Sequence, residues 1–253
     1  MSSTSCCEKK PVIKCCLFDM DGLLINTEDV YTLSTTMLLK EYNRPPMTWD
    51  FKTQVMGLPG SEVYKKFVKY YHLENELTEE EYAQKQHDFQ EKLWKECVFL
   101  PGVEEMLNRL FDMGIPMGIC TSSNKKKFDL KIVNSLSKLI EKFEVVILGD
   151  DPRLKNGLGK PHPKIYQLGL EGVNAKNKEN ILPSETLVFE DALLGCKAGK
   201  SFGGTVCWIP HTELYGKLPE LETEFEHEGQ GFVLQSMDKF PFDKYNFQSV
   251  KKK

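Results

Sequence analysis

Val12-Ile13-Lys14-Cys15-Cys16-Leu17-Phe18 runs directly into Asp19-Met20-Asp21-Gly22. A β-branched and aromatic run, apolar except for Lys14, reads as a buried strand that ends at Phe18. Two carboxylates two residues apart then place concentrated negative charge at the carboxyl edge of a sheet, where open α/β sheets bind ligands. Neighbouring carboxylates repel, so the arrangement is costly unless a cation, a proton or a reaction uses it. Asp and Gly are also ordinary turn residues. Taken alone, Asp-x-Asp-Gly favours the plainer reading of an acidic turn.

Three later segments repeat the layout and reverse that balance. Ile115 to Cys120 precedes Thr121-Ser122-Ser123-Asn124. Val145-Val146-Ile147-Leu148 leads through Gly149 to Asp150-Asp151, and soon to Lys160-Pro161-His162-Pro163. Thr186-Leu187-Val188-Phe189 ends in Glu190-Asp191. A doubly wound sheet brings several parallel strand ends to one edge. A carboxylate, a hydroxyl, an ammonium and a second acidic pair would meet there.

Between Thr27 and Cys97 the pattern becomes helical, charged and tyrosine-rich. Tyr31, Leu38 and Leu39 suit one apolar face, Val63, Phe67, Val68 and Tyr71 another, and Tyr82, Phe89, Leu93 and Trp94 a third. Breaks fall at Arg44-Pro45-Pro46 and Leu58-Pro59-Gly60. The insert therefore reads as all-helical. After Pro101-Gly102 a helix is expected over Val103 to Met113, stopped by Gly114. Pro163 suits the first position of another helix. Ala192 to Ser201 reads as helix, and Gly204 to Ile209 and Phe232 to Leu234 as strands. The fold class is α/β, a three-layer doubly wound, mainly parallel sheet. Residues 11–25 and 98–253 form the core, 26–97 the helical cap and 1–10 a disordered tail.

The chain has 253 residues and a formal net charge of −4, which gives no basic footprint for nucleic acid. No apolar stretch approaches the roughly 20 residues of a membrane span, and residues 1–10 lack the apolar centre of a signal peptide. Of the eight cysteines, Cys15, Cys16, Cys120 and Cys207 lie in strand-like runs, where cysteine acts as a small hydrophobe. No C-x-x-C spacing suggests zinc. A reducing, cytoplasmic compartment is expected, with Cys6 and Cys7 on a mobile tail and a monomer as the default.

The ordered set Asp19-Met20-Asp21-Gly22-Leu23-Leu24, Thr121-Ser122-Ser123, Lys160-Pro161-His162-Pro163 and Val188-Phe189-Glu190-Asp191-Ala192 resembles the haloacid dehalogenase-like phosphatases. The resemblance covers about Val12 to Phe240. Trp49-Asp50, Val55-Met56-Gly57 and Leu148-Gly149-Asp150-Asp151-Pro152 are similar to pseudouridine-5′-phosphatase-like members, a less specific match. The resemblance implies Asp19 as nucleophile and metal ligand, giving an aspartyl-phosphate intermediate. It implies Asp21 as general acid and then general base, with its backbone carbonyl on the metal. Thr121, with backbone donors near Met20 and Ser122, would bind the phosphoryl group, and Lys160 would neutralise it. Asp191 would ligate Mg²⁺ directly and Glu190 through water or from outside the first set of ligands. Plainer readings stand beside these: Thr-Ser-Ser is an ordinary helix cap, and acids suit a helix N-terminus.

Lys164 replaces an acid usual in the family, a change that implies either weaker support of Lys160 or an altered shell of residues behind the site. Asn26 replaces a frequent aspartate near the cap hinge. His162 fills a variable position and reads as a bystander. The loop over 152–159, carrying Arg153 and Lys155, reads as a basic lip or a plain surface loop. The segment Val55 to Ser61 resembles the specificity loop of the cap, although Leu58, Pro59 and Gly60 are neutral where relatives often carry a base. The expected partner is a small phosphorylated metabolite, with pseudouridine 5′-phosphate or another sugar phosphate leading. A phosphomutase of the β-phosphoglucomutase kind is disfavoured, because Tyr31 stands where those enzymes carry a histidine. A non-enzymatic binding protein is least favoured.

Overall fold

The computed structural model describes residues 10–55, 60–133, 135–216, 222–223, 225–226 and 230–250. The opening run does not make one strand. It divides at Lys14 into β1 (Val12–Ile13) and β2 (Cys15–Phe18). The Lys14 backbone N–H donates to the Glu185 carbonyl at 2.8 Å, and its ammonium lies 2.7 Å from the Glu185 carboxylate. Four helices follow: α1 (Thr27–Glu41), α2 (Trp49–Val55), α3 (Gly60–Tyr71) and α4 (Glu79–Leu93). After α5 (Val103–Asp112) come β3 (Met117–Cys120), α6 (Lys125–Lys131), α7 (Ser135–Ile140) and β4 (Val145–Ile147). The chain continues with α8 (Lys164–Asn177), β5 (Thr186–Glu190), α9 (Leu193–Phe202), β6 (Thr205–Trp208), β7 (Gly231–Val233) and β8 (Asn246–Phe247).

Six strands form one sheet in the order β4-β3-β2-β5-β6-β7, every pair parallel. The short β1 pairs instead with β8, a strand the weakly patterned C-terminal stretch did not announce. Alternation across the pleat sorts the core into two layers. Cys16, Phe18, Met117, Ile119, Leu187 and Phe189 pack with α5 on one face. Cys15, Leu17, Ile147, Val188 and Val206 pack under α8 and α9 on the other. Phe18 stacks on Phe189 with ring centroids 4.6 Å apart and meets Phe143 edge-on. Truncating so buried an aromatic side chain to alanine costs about 3–5 kcal/mol.

Register then aligns the strand ends. Phe18 sits opposite both Ile119 and Phe189, so Asp19, Thr121 and Glu190 emerge at one edge of the sheet. The backbone N–H of Asp19 donates to Phe189 at 3.0 Å, and that of Thr121 to Ile147 at 3.0 Å.

The four helices between β2 and α5 carry their own apolar cluster, including Leu38, Leu39, Phe51, Phe67, Tyr71 and Leu73. A polar seam joins α1 to α4: Ser34 donates to Gln86, and Gln86 donates to Thr35. The connection to the sheet is narrow. Ile25 bridges Phe99, and Asn26 pairs with Val98 twice, once through each partner's N–H. The neutral Asn26 thus spends its side-chain carbonyl on the hinge. Residues 56–59, most of the expected specificity loop, lie outside the described residues, as do the N-terminal segment with Cys6 and Cys7 and the terminal lysines.

Candidate active site

Asp19 is the first residue beyond β2, and its carboxylate is buried. The ammonium of Lys160 pairs with it, and the same ammonium lies 2.6 Å from Glu190. Glu190 is the last residue of β5 and is 1 % exposed. The hydroxyl of Tyr166, on α8, donates to its carboxylate. Gly195 makes room for that carboxylate in the first turn of α9: a Cβ there would lie 1.9 Å from a Glu190 oxygen. Gly22 serves Asp191 in the same way. It has φ +77°, and an added Cβ would lie 2.4 Å from an Asp191 carboxylate oxygen.

Asp19, Glu190 and Asp191 each offer a carboxylate oxygen within 4.8 Å of the others. Burial raises the Asp19 carboxyl to about 7, with the charges of Glu190 and Asp21 adding and Lys160 opposing. Burial also raises Asp191 well above the ordinary value, reinforced by Asp19 and Glu190. One lysine does not balance three buried acids. A compact set of hard oxygen donors with unbalanced negative charge fits a divalent cation.

Asp21, two residues on, has a different setting. Lys131, at the end of α6, pairs with one carboxylate oxygen. The Ser123 hydroxyl donates to the other at 2.7 Å, and Thr121 approaches the same oxygen at 3.3 Å. Lys131 also donates to the Ser123 oxygen at 2.9 Å. Burial pushes Asp21 upward, but the Lys131 charge and the hydrogen bonds from Lys131 and Ser123 hold it below the usual carboxylate value. The Asp21 side chain contributes no oxygen to the three-acid cluster.

Asp19, Asp21, Thr121, Ser122, Lys160, Glu190 and Asp191 border one cavity of about 460 Å³, which Glu28 and Tyr31 of the helical insert also line. Among the sequence candidates, Met20 turns its side chain into the core. His162 is exposed, does not border the cavity, and accepts from the Lys164 N–H. The Lys164 ammonium lies 3.7 Å from Glu171, and Lys160 is held instead by Asp19 and Glu190. Arg153 folds back onto Asp151, 2.6 Å away. Lys131, Ser123 and Tyr166 were not foreseen. Ser123 stands in the quoted motif Thr121-Ser122-Ser123 without a role of its own, whereas a lysine ending a charged helix and a tyrosine on an apolar helix face carry no local signal.

A model of haloacid dehalogenase-like hydrolases matches residues 16–209. A probable pseudouridine-5′-phosphatase of Saccharomyces cerevisiae is 43% identical over 233 residues, covering 92% of this chain and 97% of its own. One from Drosophila melanogaster is 35% identical over 202 residues, covering 79% and 82%. The crystal structure of a provisionally named β-phosphoglucomutase from Thermotoga maritima superposes with a TM-score of 0.69 at 27% identity, covering 90% of this chain and 96% of that one. The chain belongs to the haloacid dehalogenase-like hydrolase family.

Proposed function

We propose that this phosphatase is Mg²⁺-dependent and hydrolyses a small phosphorylated metabolite through an aspartyl phosphate on Asp19, with pseudouridine 5′-phosphate as the leading substrate. The observation that carries the reading is the meeting of Asp19, Lys160, Glu190 and Asp191 beside one cavity. A carboxylate oxygen of Asp19 attacks phosphorus in line, the ester P–O bond breaks, and a proton from Asp21 goes to the leaving alkoxide. Water then attacks the phosphorus of the acyl phosphate and gives its proton to Asp21. The P–O bond to Asp19 breaks, releasing inorganic phosphate and restoring both carboxyl groups.

Thr121 and backbone N–H groups near Met20 and Ser122 orient the phosphoryl oxygens, and Lys160 offsets their charge. Asp19 and Asp191, with the backbone carbonyl of Asp21, would hold Mg²⁺. Glu190 is left to fix Lys160, in keeping with its hydrogen bond from Tyr166. Bound Mg²⁺ would supply charge neutralisation to the transferring group. The helical segment 26–97 acts as a cap over the core formed by 11–25 and 98–253, excluding water and selecting the substrate. The six described cysteines are free and buried, in keeping with a reducing, cytoplasmic setting.

A panel of nucleoside and sugar phosphates scored by kcat/KM tests the assignment. Release of phosphate, with pseudouridine 5′-phosphate foremost and activity lost on chelation and restored by Mg²⁺, is the expected result. Isomerised phosphate without release would make the protein a mutase, and full activity without metal would remove the cation from the scheme.

A further inference from the structure

We propose that Lys131 and Ser123 form a clamp that positions the Asp21 carboxyl for proton transfer; the inference rests on the reading of Asp21 as acid and base. The Lys131 side chain is fully buried, while that of Asp21 is 21% exposed and borders the cavity. Lys131 does not border the cavity, so it reaches the reaction only through Asp21. Its ammonium is enclosed on three sides. Asp21 pairs with it, the Ser123 oxygen accepts from it at 2.9 Å, and the Trp94 ring lies 4.4 Å away. Tyr31 packs edge-on against that ring.

Ser123 closes the triangle by accepting from Lys131 and donating to Asp21 at 2.7 Å. Each oxygen of Asp21 is therefore fixed from behind. A carboxylate oxygen has two lone pairs, so the oxygen paired with Lys131 keeps capacity for a further partner, while the other already accepts from Ser123 and Thr121. A buried lysine is expensive unless paired, and Asp21 is the carboxylate it pairs with among the described residues. Lys131 comes from the core helix α6, whereas Trp94 lies where the chain returns from the helical insert. The clamp thus ties the proton-transferring carboxyl to both bodies at their joint. Lys131 and Ser123 are positioning residues.

The test is the dependence of kcat/KM on leaving group. It compares Lys131→Met, Ser123→Ala and the reference Asp21→Asn on an aliphatic phosphate ester that the wild type hydrolyses and on p-nitrophenyl phosphate, whose phenolate departs without a proton. Asp21→Asn and Lys131→Met are both expected to lower kcat/KM on the aliphatic ester by about 10²-fold, with a loss on the nitrophenyl ester at least about tenfold smaller. Ser123→Ala is expected to show the same selectivity at smaller amplitude. KM for the aliphatic ester should move by less than about threefold, because positioning of an acid acts on the transition state. A purely structural lysine would instead give equal losses on both esters. That result, or no loss, alongside a selective loss in Asp21→Asn, overturns the clamp alone. An unselective Asp21→Asn overturns the acid assignment itself. If Lys131→Met does not fold, Ser123→Ala decides, since it removes one hydroxyl.

Discussion

Two aspartates two residues apart divide the site into unlike halves. On the Asp19 side three carboxylates crowd together around one ammonium, and burial lifts the nucleophile candidate to about 7. On the Asp21 side one carboxylate has a lysine and two hydroxyls to itself, and its pKa is depressed. The first half holds surplus negative charge and calls for a cation; the second is internally balanced. In the metal-free site these directions run against the assigned roles, since a nucleophile must be ionised and an acid protonated; a cation beside Asp19 would favour its ionised form. Two-residue spacing at a strand end does the sorting. Asp19 stays in line with β2 and faces Glu190, while Asp21 has passed the turn toward α6.

The sharpest way to break that contrast is to remove the single ammonium of the crowded half. Lys160→Met should lower kcat by about 10²–10³-fold. It should also destabilise the metal-free protein by about 3–5 kcal/mol, because it strands Glu190 and Asp19 without their cation. Unchanged turnover in that variant would show that Lys160 is a structural counterion only.

Metal and proton should compete in the same half. The folded-state pKa of Asp19 is raised, so the native protein keeps a proton that the unfolded chain loses above about pH 4. The stability tied to that proton therefore falls as pH rises from there to about 7. A cation displaces the proton, so the rise in Tm on adding Mg²⁺ should be larger at about pH 8 than at about pH 5. An equal shift at both values would place the binding elsewhere. The smallest effect should come from Tyr166→Phe, which removes one hydrogen bond to Glu190 while leaving Lys160 in place. A loss of about 1–2 kcal/mol in thermal or chemical unfolding is expected, with activity reduced far less than in Lys160→Met. A larger activity loss in Tyr166→Phe would assign the hydroxyl a direct part in the reaction.

The crowded half was legible in the sequence, as were Asp21 and the Thr121-Ser122-Ser123 run of the balanced half, but Lys131 was not. Asp19, Thr121 and Glu190-Asp191 each follow an apolar run, and a parallel sheet in register must gather such positions at one edge. Lys160 carried a signal through the two prolines that follow it, Pro161 and Pro163. Lys131 meets Asp21 across 110 residues, from the end of a helix rich in lysines. Nothing local marks the one whose neighbours bury it. Tyr166 lies among apolar residues of α8, where an aromatic side chain needs no further reason. The opening strand was misjudged for a similar cause. Lys14 finds Glu185, and β1 finds β8, only once distant chain has folded beside them.

The central claim, that Asp19 becomes phosphorylated, is tested most directly by acid-quenching the enzyme during turnover and measuring the intact protein and its peptides by mass spectrometry. The account predicts one added phosphoryl group on the peptide containing Asp19, absent in Asp19→Asn, which should release no phosphate while remaining folded. A phosphoryl group on another residue, or steady turnover by Asp19→Asn, would contradict it.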